Sequence, residues 1–333
     1  MFLHSISNAV VSTRTFETLF SKISSRGRNE GLVEHRECWG DDFPNTTFYV
    51  IRRPNLWGIM SILAVYINHI YYALRRGYIP VIDQSTVQNL YLEEGEIGTG
   101  VNTWEYYFEQ PAGFTLEEIA HAKNVVLSGM LLWSSDKNSY RIKHANVSAP
   151  YGDHWQGVAH AHYRLNDATK KHILRIREEV LGDGDEPILG VYCRGTDYVD
   201  SRPKGHPIQP SAETVIQKAH EVMSERGYSS LYLVTEDERV LEKFESEWGN
   251  KLRFIDAARY GSAQKGEGDF IWQRTNPRNE SKYISGLNYL TGMSLLLECD
   301  GIIAGITGGT AGLRLLQHRP FNYQHYWDLG TYD

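Results

Sequence analysis

Arg194, Gly195, Thr196 and Asp197 follow directly on a β-type run, Ile188 to Cys193, and a segment with Lys204, Gly205 and His206 comes next. A strand that delivers an arginine to a glycine turn places a permanently charged, planar, five-donor fork where backbone can come close to an anion, and a diphosphate suits that fork. The first expectation is therefore a nucleotide-sugar site. Two further strand ends support it. Leu231 to Val234 runs into Thr235-Glu236-Asp237, where one carboxylate could accept from a purine base or a ribose, or simply cap the helix that follows. Gly301 to Gly305 runs into Ile306-Thr307-Gly308-Gly309-Thr310, whose backbone NH groups and hydroxyls at a helix start would make an anion cradle.

Composition removes several other classes. Thirty-four Lys and Arg against 41 Asp and Glu give a net charge of -7, so no surface for nucleic-acid phosphates is expected. Cys38, Cys193 and Cys299 are odd in number and far apart, which supports neither a disulfide framework nor a CxxC metal site and fits a reducing cytoplasm. Met1 to Val11 lacks a basic region followed by a sustained apolar core, so no signal peptide is read, and the Asn-x-Ser/Thr triplets at Asn45, Asn146 and Asn279 then carry no weight. The glycines from Gly305 to Gly312 do not have the G-x-G-x-x-G spacing, and no G-x-x-x-x-G-K-S/T is present. Asp153, His154, His160 and His162 lack an H-E-x-x-H frame, so no metal is expected, and a structural or acceptor-facing role fits them better.

At 333 residues the chain is long enough for two domains, 1–183 and 184–333, divided at Gly182-Asp183-Gly184-Asp185. In the first, a strand at 48–51, a helix at 56–74 and a strand at 78–83 make one βαβ unit with parallel pairing. The helix is apolar, but Ser61, Asn68 and His69 within it argue for a buried crossover rather than a membrane span. No transmembrane segment is expected, and peripheral membrane association is left open. Gly58 lies at the helix start and Gly77 just past its end, where a left-handed cap is expected. A helix at 116–123 should precede a strand at 124–127, and a helix at 166–180 leads out of the domain. The aromatic run Asn102 to Phe108 reads as core, or, with Trp104, as a sugar-stacking wall. Beyond the boundary, strands at 188–193, 230–235, 252–255 and 301–305 alternate with helices at 211–226, 237–248, 283–298 and 310–317, the pattern of a doubly wound domain.

The blocks Leu189 to Asp197, Gly205-His206-Pro207-Ile208, Leu233 to Asp237, Leu296 to Asp300 and Ile306 to Gly309 together resemble the GDP-fucose-dependent fucosyltransferases, nearest the bacterial Nod-factor and core α1,6 branch with its H-x-R-R-T-D and F-H-P-I motifs. The Leu56 to Asp83 unit is similar to that family's N-terminal glycine, helix and G-Y-I-P-V strand. The resemblance implies a metal-independent GT-B fold, two Rossmann-like domains facing a cleft, the second holding the nucleotide-sugar donor and the first a saccharide acceptor such as a bacterial surface glycan. It implies Arg194 on the donor β-phosphate, Asp237 toward the guanine, and Thr307 with Gly308 at phosphates or ribose, with Gly195, Thr196, Glu236, Gly309 and Thr310 beside them. Asp197 and Asp200 are the candidate bases, although Asp197 could instead hold Arg194. Lys204 and His206 are expected to contact donor or acceptor, and Gly58 and Trp104 to lie on the acceptor side. The family's first histidine is Tyr192 here, its second arginine Gly195, its lysine after the aspartate Tyr198, and a donor-site aspartate Gly292. These departures leave open another nucleotide sugar, or a protein of this fold that binds a nucleotide sugar without turnover.

Overall fold

The computed structural model describes residues 35–54, 56–129, 140, 152–184, 186–262 and 270–333. Two sheets organise them. The first contains β1 (His35–Glu37), β2 (Asp42–Ile51), β3 (Ile79–Ile82) and β4 (Ala122–Leu127) in the order β1-β4-β2-β3. β2 pairs parallel with both β3 and β4, and β1 closes the edge antiparallel to β4. The second contains β5 (Ile188–Tyr192), β6 (Ser230–Val234), β7 (Leu252–Arg253), β8 (Gly301–Gly305) and β9 (Tyr323–Trp327). It is wholly parallel, in the order β7-β6-β5-β8-β9. Strand order reverses between β5 and β8, where ligands of such sheets collect outside the carboxyl ends.

The apolar 56–74 segment becomes α1 (Ile59–Arg75), with its interior face buried. Two of its polar residues find partners inside the protein. Asn68 bonds both the backbone NH and the carbonyl of Tyr140, and His69 Nδ1 lies 3.2 Å from the Tyr49 hydroxyl. Burial, helped by the nearby Arg53, pushes His69 down to about 3, so the ring is a neutral partner. Gly77 caps the helix with a positive φ of 69°. Among the described residues no helix is long and apolar enough to cross a membrane.

Helices α2 (His154–His162) and α3 (Asp167–Leu181) precede the second sheet in sequence but pack on its helices. α2 lies on α7 (Gly308–Leu316) and α3 on α6 (Lys282–Glu298). One core cluster is therefore continuous from Tyr49, Ile51 and Leu63 to Tyr192, Leu290 and Ile302. α1 and α7 approach so closely that a Cβ on Gly312 would fall on the backbone carbonyl of Met60. The outer face of the second sheet is covered by α4 (Ala212–Arg226) and α5 (Glu238–Trp248), with Val215, Ala219, Phe244 and Trp248 in its core. Ser211 caps α4 at its start and Gly227 at its end.

Residues 116–123 depart from expectation. They form turns rather than a helix, because Ala122 and Lys123 are drawn into β4, leaving consecutive turns closed by Ile119 N to Thr115 O at 3.3 Å, Ala120 N to Glu117 O at 3.1 Å and Ala122 N to Ile119 O at 2.9 Å. His160 and His162 meet the carbonyl oxygens of Gln317 and Pro111, and Asp153 pairs with Arg314 at 3.0 Å. That cluster joins α2 to its neighbours, and among the described residues no group of three or more metal-ligating side chains is found.

Candidate active site

β5 ends at Tyr192 and the chain turns sharply over the start of α5. The turn is possible only with Gly195, since a Cβ there would lie 2.5 Å from Cβ of Asp237. Thr196 then takes φ 34°, ψ -111°, a conformation a β-branched residue adopts at a cost of about 1–3 kcal/mol. It is held there by its NH to Asp237 Oδ2 at 2.7 Å and its hydroxyl to Glu236 Oε1 at 3.0 Å. A π-helical turn, Asp197–Ser201, follows directly. Strain and π turns both concentrate at functional sites. Gly195→Ala should displace Asp237 and release this turn. A loss of about 1–3 kcal/mol in denaturant unfolding is expected, and unchanged stability would show that the close approach is not required.

The turn aims Arg194 along the sheet's carboxyl edge. Its side chain is 14% exposed. Nη2 donates to Asp197 Oδ1 at 2.8 Å, the guanidinium lies 4.7 Å from the centre of the Tyr198 ring, and Nε stands 3.4 Å from Glu236 Oε1 without making a hydrogen bond. Burial alone would lower the guanidinium's pKa, but Glu236, Tyr192 and Asp197 outweigh it and hold it well above its ordinary value. Glu236 moves the other way. Burial raises its carboxyl, Arg194 opposes, Asp197 adds repulsion, and the balance lies above the usual carboxylate range. A strongly charged arginine with an unpartnered buried donor, beside a reluctant carboxylate, is an arrangement that an anion would complete.

Asp237 cannot take the nucleobase role expected of it. It caps α5 and is 1% exposed. Oδ1 accepts from the NH and Nε of Arg239, and Oδ2 from the NH of Thr196 and Nη2 of Arg239, which fills its four lone-pair positions. Asp200 is likewise engaged, 3.0 Å from Arg239. Of the two candidate bases, Asp197 is the one in contact with Arg194. Its Oδ1 accepts from Arg194 and from the NH of Tyr198, leaving Oδ2 for another partner.

The expected anion cradle at α7 is closed. Thr307 and Thr310 cap each other reciprocally, with Thr310 N to Thr307 Oγ1 at 3.2 Å and Thr307 N to Thr310 Oγ1 at 2.8 Å, and both side chains are buried. Gly308 abuts Ser61 of α1, and Gly309 abuts the Tyr192 hydroxyl. These residues join the two halves of the chain instead of presenting donors to solvent. For Trp104 the core reading holds and the acceptor-side reading does not. It is 4% exposed and stacked 4.5 Å from Phe108, so it is core and offers no face to a sugar.

Other expected residues reach the site through aromatic rings. His206 lies 5.6 Å from Tyr198, the ring under Arg194, and 5.5 Å from Phe270. A Cβ on Gly58 would stand 3.3 Å from the ring of Tyr289 of α6, and the buried Tyr192 phenol lies within electrostatic reach of Arg194. Lys204 is exposed. A Cβ at position 292 would meet the side chains of Ile255 and Val234 at 3.4–3.7 Å. Tyr192, Tyr198, Tyr289 and Phe270 were not identifiable beforehand, except that Tyr192 and Tyr198 occupy positions where the family pattern carries histidine and lysine.

No family model and no curated protein matches the chain. Solved structures do. An α1,6-fucosyltransferase, NodZ, co-crystallised with GDP matches with a TM-score of 0.50 at 14% identity over 82% of this chain and 92% of that one. Fucosyltransferase NodZ from Bradyrhizobium follows at 0.48, 14% identity and the same coverage, and POFUT1 in its apo form at 0.46, 10% identity, 86% of this chain and 99% of that one. A largely parallel first sheet, a wholly parallel second sheet, α1 packed against α7 and the match to NodZ agree that the chain has the GT-B fold of that structure.

Proposed function

We propose that the protein is an inverting, metal-independent glycosyltransferase that moves fucose from GDP-fucose to a saccharide acceptor. The observation that carries this reading is Arg194, buried at the carboxyl end of the central strand β5 with an Nε that has no hydrogen-bond partner. Breaking the bond between the anomeric carbon and the diphosphate oxygen leaves negative charge on GDP, and a fixed guanidinium at that oxygen stabilises the transition state more than the ground state. The acceptor hydroxyl attacks from the opposite face, its proton passes to Asp197 Oδ2, its oxygen bonds the anomeric carbon, and GDP departs with the bonding pair. Asp197 then serves twice, orienting Arg194 through Oδ1 and accepting the proton through Oδ2. The three cysteines are free, with Cys193 and Cys299 buried, in keeping with a cytoplasmic setting.

Incubated with GDP-fucose and no acceptor, the protein should release GDP slowly by transfer to water, and should do so undiminished in excess EDTA because Arg194 supplies the positive charge. Strict dependence on added Mn²⁺, or release from UDP-sugars alone, would reject the reading. A second reading rests on Gly292, which stands where the family pattern carries a donor-site carboxylate. On that reading GDP raises the melting temperature and no release is seen.

A further inference from the structure

Beyond β9 the chain does not simply trail away. Gly330, at φ 81°, turns it back toward the loop that carries His206. There it forms a short antiparallel ladder: Gly205 N to Tyr332 O at 2.8 Å, Tyr332 N to His206 O at 3.0 Å, and Ile208 N to Gly330 O at 2.9 Å, with Pro207 facing Thr331. The far end of the same loop is tied to β8 by Gln209, whose Nε2 donates to Ile306 O at 3.2 Å and whose side chain fills the space left by Gly305. Between these two anchors the His206 ring is set against Tyr198, and Tyr198 lies under Arg194.

We propose that Gly330–Tyr332 is a positioning strand of the donor site, holding the His206 loop in register over Tyr198 and Arg194. The reason is mechanical. The loop from Arg202 to Gln209 contains two prolines and a glycine at φ 77°, and belongs to no sheet of its own. Among the described residues, His206 makes its own turn bond, His206 N to Pro203 O at 3.0 Å, and one further backbone bond, which comes from Tyr332 of this strand. A flexible loop tied at only one end samples many conformations, and each ordered residue it must freeze on donor binding weakens binding. The strand bears that ordering before the donor arrives.

This inference rests on the reading of Arg194 as the donor-phosphate group, and its test separates the two. Removing residues 329–333 should raise the KM for GDP-fucose, and the Kd for GDP measured by calorimetry, by about tenfold, the scale of a misplaced binding group, with the far-ultraviolet spectrum unchanged. Tyr332→Pro deletes the NH that donates to His206 O and should reproduce most of that loss, whereas Tyr332→Ala, which keeps the NH, should not. A purely structural tail would affect the Pro and Ala variants alike. Equal GDP affinity in full-length and shortened chains, or equal behaviour of the two substitutions, overturns the proposal. Failure of the full-length chain to turn over any GDP-sugar would instead defeat the catalytic reading, and the calorimetric arm would still decide the role of the strand.

Discussion

Arg194→Ala should lower GDP release from GDP-fucose by about two to three powers of ten, the usual loss when one preorganised electrostatic stabiliser is removed. The substitution takes away the cation that, among the described residues, pairs with both Asp197 and Glu236. Those two carboxylates then face each other uncompensated, so the variant should also repel a diphosphate that the wild type attracts. Both kcat and donor KM are expected to suffer, with the larger effect in kcat because charge on the leaving group grows toward the transition state. Arg194→Lys keeps the charge but replaces a planar fork by a point charge on a flexible stem, and it cannot reach Asp197 and a phosphate in one plane. It should fall between wild type and alanine. Near-normal release by Arg194→Ala, in a variant shown to be folded by calorimetry, would remove the guanidinium from the mechanism.

The architecture around Arg194 was readable where a local pattern had a single physical solution. The apolar spacing of α1, the cap at Gly77, the strand before Arg194 and the caps at Ser211 and Asp237 each follow from contacts within one element or its neighbour. Residues 116–123 show where that reasoning ends. Their composition suits a helix, but pairing of Ala122 with Asp42 is a long-range contact that no local window contains. The site divides the same way. Arg194 stands out because a strand ending in Arg-Gly is locally unusual. The distinction between Glu236 and Asp237 is tertiary: one keeps a shifted carboxyl beside Arg194, while the other has all its lone pairs taken by Thr196 and Arg239. Likewise Thr307 to Thr310 have the composition of an anion cradle, and only the approach of α1 shows that they are sealed.

Binding of GDP-fucose should tighten as pH falls from 8 toward 5, and should be accompanied by uptake of a proton by Glu236. In the ligand-free protein the Glu236 carboxyl already lies above its ordinary range, through burial and the nearness of Asp197, with Arg194 only partly offsetting them. A diphosphate placed on Arg194 competes for that cation and adds negative charge of its own, so it must raise the carboxyl further. Linkage then requires tighter binding at lower pH, by at most about tenfold per unit for one proton. The donor itself adds no slope, because a diphosphate diester does not titrate in this window. The same shift fixes a sign for stability. A carboxyl raised in the folded state favours folding below its unfolded pKa, and that contribution is lost as pH rises through the folded value. Glu236→Gln should therefore lose less stability than wild type between pH 5 and 8. The amide oxygen can still accept from the NH of Gly195 and the hydroxyl of Thr196, so the turn is retained. His206, lowered chiefly by burial and also near Asp197 and Arg194, contributes to the pH profile of both proteins, so the difference between them isolates Glu236. Calorimetry in two buffers of unlike ionisation enthalpy measures the uptake directly. An identical pH slope in wild type and Glu236→Gln would mean that the diphosphate does not settle beside this carboxylate, and with it the placement of the donor on Arg194 would fall.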